Sequence, residues 1–83
     1  MNITFYKEDI KRIFKENDLH YDWHVSPNDG TIEVYVDWGD WKHDHLFLKH
    51  IMWKNHYRHT NEVVTEEDGS DAYSATHYFK YGV

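Results

Sequence analysis

The stretch HYDWHVSPNDGTIEVYVDW, residues 20–38, decides the fold. From His20 to Val25 the residue types alternate. Tyr21, Trp23 and Val25 share one side; His20, Asp22 and His24 share the other. A period of two belongs to a β-strand. Ser26-Pro27-Asn28-Asp29-Gly30 then has turn chemistry, with Gly30 supplying the positive φ that such a hairpin needs. The alternation resumes with Ile32, Val34, Val36 and Trp38 set against Thr31, Glu33, Tyr35 and Asp37. The segment predicts a β-hairpin with one apolar and one polar face. An antiparallel sheet can leave one face in water, but the apolar face needs a cover.

Two helical stripes are available to cover it. Upstream, Ile10, Ile13, Phe14 and Tyr6 fall on one helical side, with Lys7, Lys11, Arg12 and Lys15 away from it. Asp18 and the residues after it end that helix. Downstream, Asp40 is a candidate N-cap. Trp41, His45, Leu48, Ile51 and Met52 form a second stripe running to about Tyr57. Thr60 to Glu66 reads as a strand centred on Val63 and Val64, Glu67 to Asp71 as a turn, and Tyr73 to Tyr81 as the last strand. The inner face of that strand is Ala75, His77, Phe79 and Tyr81. Its outer face is Ser74, Thr76, Tyr78 and Lys80.

Three short matches in the same order suggest an internal repeat. Tyr6-Lys7-Glu8-Asp9 resembles Trp41-Lys42-His43-Asp44, Asp29-Gly30 resembles Asp68-Gly69, and Tyr35 to Gly39 resembles Tyr78 to Gly82. The expected fold is α+β: a two-layer sandwich in which an αββ unit occurs twice, in a single domain spanning residues 1–83, with halves at about 5–39 and 40–82. Its four strands form a mainly antiparallel sheet with both helices on one face. A ferredoxin-like variant, in which Asn2 to Tyr6 adds a strand before the first helix, is the second choice. At the junction of the halves, Trp38 and Trp41 are expected in the core. His43 is expected to point away from His45, and His45 to face inward.

Composition narrows the function. The chain has 83 residues and no cysteine, which excludes a disulfide framework, a thiolate zinc site and a thiol nucleophile. A domain this small buries a limited share of its surface. Four Trp, seven Tyr and four Phe offset that, because each aromatic side chain buries a large area. No stretch reaches the length and apolarity of a membrane span, and no signal peptide is evident, so a cytoplasmic location is expected. The net charge of −6 argues against direct binding to nucleic acid, which needs a positive surface. Eight histidines make the charge depend steeply on pH below neutrality, from −6 towards +2 if all are protonated.

The charges also segregate. Eight of the nine basic residues fall on the two expected helices, and ten of the fifteen acids on the hairpins with the flanking turn residue Asp40, with Lys80 the one base there. The open sheet face is therefore expected to be acidic. It would show His20, Asp22, His24, Glu33, Tyr35, Asp37, Ser74, Thr76 and Tyr78. Carboxylates around aromatic rings suit a basic partner; an ordinary solvated face explains the same pattern. Glu66, Glu67, Asp68 and Asp71 place four acids in six residues at the second turn. That loop lacks EF-hand spacing. It presents phosphate-like charge, or it simply keeps a sheet edge soluble.

Catalytic and metal signatures are sparse. The only credible metal set is His20, Asp22 and His24 on one strand face, with Glu33 or Asp37 as a further ligand. On a helix, His43 and His45 diverge too far to share an ion. There is no nucleophile elbow, phosphate loop or HExxH. No cofactor is expected, and the chain is read as a non-enzyme.

The stretches DWKHDHLFLKHIM (40–52) and VTEEDGSDAYSATHYF (64–79) resemble those of small phage- and prophage-encoded proteins. In size and charge the chain is similar to anti-CRISPR and other anti-defence proteins. That resemblance implies an inhibitor acting in the host cytoplasm by occupying the nucleic-acid site of a larger basic enzyme. The expected function is thus a non-enzymatic, acidic protein-binding module using Asp22, Glu33, Tyr35, Asp37, Glu66, Glu67, Asp68, Asp71 and Tyr78. The alternatives are a small metal-binding or hydrolytic protein centred on His20, Asp22 and His24, and a homo-oligomeric structural protein.

Overall fold

A computed structural model of the chain describes residues 3–37, 45–66 and 73–82. The element order is α1 (Ile3–Glu16), β1 (Asp22–Val25), β2 (Ile32–Asp37), α2 (His45–Lys54), β3 (Tyr57–Glu66) and β4 (Tyr73–Tyr81). The strands form one four-stranded sheet in the order β1-β2-β4-β3, antiparallel throughout. This is the expected α+β arrangement, each helix being followed by a hairpin.

Ile3 to Tyr6 belong to α1, which removes the extra strand and with it the ferredoxin-like variant. The reason is the length of the apolar stripe. Ile3 and Tyr6 continue the spacing of Ile10, Ile13 and Phe14 backwards by two turns, and both pack against the core. A period of 3.6 outweighs the weak strand propensity of five residues.

Both helices end in the same way. Asn17 and Asn55 each donate Nδ2 to the carbonyl four residues back, Ile13 O and Ile51 O, at 2.8 Å. The next residues, Asp18 and His56, take left-handed backbone with φ of 54° and 71°. Asp18 N reaches Lys15 O at 3.4 Å and Leu19 N reaches Phe14 O at 2.8 Å, the paired bonds of a Schellman cap. His56 N reaches Trp53 O at 3.0 Å. The second helix therefore stops at Lys54, and Tyr57 opens β3 instead of closing α2.

The core lies between the helices and one face of the sheet. Ile10, Ile13, Leu48 and Met52 from the helices meet Ile32, Val34, Val36 and Phe79 from the strands, all fully or almost fully buried. Burying one such side chain contributes about 1.5–3 kcal/mol. Alternation then fixes the opposite face, because Asp22, His24, Glu33, Tyr35, Thr76 and Tyr78 occupy the intervening positions. One residue breaks the ladder: between His59 and Asn61 the β3–β4 register slips, so Thr60 is a bulge, its Oγ1 donating to Tyr78 O at 3.3 Å.

Trp38, Asp40, Trp41, Lys42, His43 and Asp44, expected at the junction, lie outside the described residues, as do Glu67, Asp68 and Asp71. The side chains of Asp37, His45 and Glu66 lie outside them too. Among the described residues no helix is long and apolar enough to cross a membrane.

Candidate docking face on the open side of the sheet

The register assembles the expected acidic site from separate strands. Asp22 stands opposite Tyr35, and Tyr35 opposite Thr76. One row along, His24 stands opposite Glu33, and Glu33 opposite Tyr78. Residues directly opposite on neighbouring strands have Cβ atoms about 4.5–5.5 Å apart, so these two rows make one continuous patch. Asp22, His24 and Tyr35 are exposed, and Glu33, Thr76 and Tyr78 are half-buried. The backbone of Asp37 pairs with Ser74 and extends the same face, and that of Glu66 pairs with Tyr73 at the end of the second hairpin.

Within the patch Tyr35 Oη donates to Glu33 Oε2 at 2.8 Å. This bond to a carboxylate, aided by partial burial and the neighbouring charge, raises the Tyr35 hydroxyl above its ordinary pKa. The phenol stays a donor. Glu33 keeps its second oxygen for an incoming cation, and the Tyr35 ring offers an apolar flank at 41% exposure. Chemically the patch can accept hydrogen bonds from lysine or arginine and cover the apolar stem of such a side chain.

The face is less uniformly acidic than the sequence suggests. Arg58, expected on α2, lies in β3 as the cross-strand partner of Lys80. Two cations opposite each other are mildly destabilising. Asp29 Oδ2 lies 3.8 Å from Lys80 Nζ, which offsets part of this. The Asp29 carboxyl titrates below its usual range, first because the Thr31 amide donates to it, at 3.0 Å, and also because of Lys80. The open face thus has an acidic side, built on the edge strand β1 and its neighbour β2, and a basic end at the start of β3 and the end of β4.

The histidine set does not converge. His20 precedes β1 and bonds Asp18 Oδ1 at 2.7 Å. Among the described residues no group of three His, Asp or Glu side chains is arranged to hold a metal. Among the described residues, the histidines that do meet are His59 and His77, on β3 and β4 under α2. His59 Nε2 and His77 Nδ1 are 3.2 Å apart, and His77 is fully buried. Sequence reasoning put His77 on the inner face but assigned His59 no partner. Knowing where β3 starts would have found it, because His59 then falls on the same side as Tyr57. Glu62 neighbours the pair as the cross-strand partner of His77, and accepts from Lys49 Nζ at 3.4 Å.

Comparison of the chain with protein-family models, with curated proteins and with solved structures finds no significant match to any of them.

Proposed function

We propose that the protein is a non-enzymatic binding module that docks on a basic surface of a larger protein through the open face of its sheet. One observation carries this reading. Asp22, Glu33, Tyr35 and Tyr78 come from three strands and stand in two adjacent rows on the face no described helix covers. The net charge of −6 supports it by favouring encounter with a basic partner. Glu66, Glu67, Asp68 and Asp71 would extend the contact from the second hairpin. The most specific form is an inhibitor that occupies the nucleic-acid site of a host enzyme in the cytoplasm, as anti-CRISPR proteins do. Aromatic and carboxylate side chains together suit that role, because a nucleic-acid site binds both planar rings and phosphate charge.

The test is capture of binding partners from host lysate at low and high salt, followed by identification. A basic nucleic-acid enzyme held at low salt and released at high salt supports the reading. Reversing Glu66, Glu67 and Asp68 to Lys is expected to weaken capture. Unchanged capture would remove that hairpin from the interface.

A further inference from the structure

A second, chemically opposite site lies where α2 ends. Trp53, Lys54, His56, Tyr57, Arg58 and Gly82 line an open cavity of about 420 Å³. That is in the lower part of the range of about 300–1,000 Å³ typical of small-molecule sites. Tyr57 is buried at 1% exposure, whereas Trp53, stacked on His50 with ring centroids 6.1 Å apart, is 69% exposed. A large indole left in water beside a cavity is a free stacking surface.

The charges around the cavity distinguish it. Lys11, Arg12, Lys49 and Lys80 each have a carboxylate within 4 Å. Lys54, His56 and Arg58 have none among the described residues. In a chain with six more acids than bases, three basic residues without carboxylates gather at one cavity. Lys7, Lys15, His24 and His50 share this condition, but they stand exposed on α1, β1 and α2 and line neither this cavity nor the one beside Gly30.

The end of a helix normally repels an anion through its last carbonyls. Here three of the last four, those of Ile51, Met52 and Trp53, accept hydrogen bonds. Asn55 Nδ2 donates to Ile51 O, Asn55 N to Met52 O and His56 N to Trp53 O, while Gly82 N caps His56 O at 2.9 Å. This weakens the opposing field of the helix end, and the cationic side chains act against what remains.

We infer that this cavity is a binding site for a small planar aromatic anion, a ring carrying a phosphate or carboxylate group. The ring stacks on Trp53, and the anionic group lies among Lys54, His56 and Arg58. A bare anion leaves the indole unused, and a neutral ring leaves the cations unused. The site shares no residue with the acidic patch, although Arg58 also borders the open face of the sheet.

Amide NMR of the full chain tests this, with phenyl phosphate as probe and inorganic phosphate and phenol as its fragments. Phenyl phosphate is expected to shift the amides of Lys54 to Arg58 and Gly82, and the Trp53 indole N–H, saturably. Its affinity is expected to exceed that of either fragment by about tenfold or more. Trp53→Ala and Lys54→Glu, both at exposed positions, are each expected to weaken it by about fivefold or more with the thermal midpoint little changed. The inference is overturned if the probe produces no saturable shift at these positions. It is equally overturned if phosphate alone binds as tightly, or if both folded variants retain full affinity.

Discussion

Tyr57 Oη donates to Asp9 Oδ2 at 2.7 Å, tying the first residue of β3 to α1 across 48 positions of sequence. Asp9 also accepts from Arg12 Nη2 at 2.7 Å, and the same Arg12 nitrogen lies 3.4 Å from Asn55 Oδ1 in the cap of α2. One carboxylate therefore joins both helices to the edge strand. Tyr57→Phe removes the donor and leaves Asp9 with Arg12. A hydrogen bond to a charged group contributes about 1.5–3 kcal/mol, so a loss near that size is expected in denaturant unfolding. A loss within error would mean that solvent replaces the bond.

The same contact sets an alkaline limit. Burial first, then the bond to Asp9, raises the Tyr57 hydroxyl well above the ordinary tyrosine value. A raised folded-state pKa gives stability that is complete below the unfolded value, about 10, and is lost as pH rises from there through the folded value. The wild type should lose stability above pH of about 10 more steeply than Tyr57→Phe. Parallel alkaline curves for the two proteins would contradict this.

His59 supplies the acid limb. Its protonation is disfavoured, first by burial and then by Lys49, with Glu62 opposing. A histidine depressed in the folded state binds its proton more readily in the unfolded chain. Stability is therefore full above about 6.5 and falls as pH drops from there through the lower folded value. Glu62, held below its usual range chiefly by Lys49, adds a separate loss under about pH 4.5. His59→Gln should flatten the first fall and spare the second. Chemical denaturation at a series of pH values separates the two windows.

How much of this was legible in the sequence depends on the range of the interaction. The period-two stretch from Tyr21 to Val36 and the stripe of Ile10, Ile13 and Phe14 placed the core, because burial acts on local pattern. The end of α2 was misplaced, since the stripe of Leu48, Ile51 and Met52 has no apolar residue to mark where it stops. The signal was Asn55-His56, matching Asn17-Asp18, because Asn caps helices well and polar residues tolerate left-handed backbone. That shift also moved Arg58 onto the sheet and His59 against His77. The open acidic face was legible since alternation fixes sides. Its basic end was not, because it depends on the register of β3 against β4.

Gly30 is needed twice over. Its φ is 73°, and a Cβ there would stand 2.9 Å from Tyr6 Cε2. Gly30→Ala must therefore strain the turn and displace a ring that packs on the core. A destabilisation of about 1–3 kcal/mol is expected. Combining it with Tyr6→Ala separates the causes, since the clash disappears and the backbone strain remains. If Gly30→Ala costs nothing in thermal unfolding, the turn adopts another conformation.

The last prediction separates docking from folding. Asp22 and Tyr35 are exposed and Glu33 is half-buried, so none anchors the core. Tyr35→Phe removes only the hydroxyl that donates to Glu33. Its stability should change by no more than about 0.5 kcal/mol, as for most surface substitutions. The pair Asp22→Lys and Glu33→Lys changes the local charge by four while leaving the apolar face intact. It should fold, and should weaken capture of a basic partner by about tenfold or more at low salt, with less effect at high salt. Arg58→Glu acts in the other direction. It extends the acidic patch towards Lys80, so affinity for the same partner should rise if Arg58 borders the contact. Binding assays on the three variants, each shown to be folded by circular dichroism, read the face directly. If the double reversal retains wild-type affinity, docking lies elsewhere on the molecule.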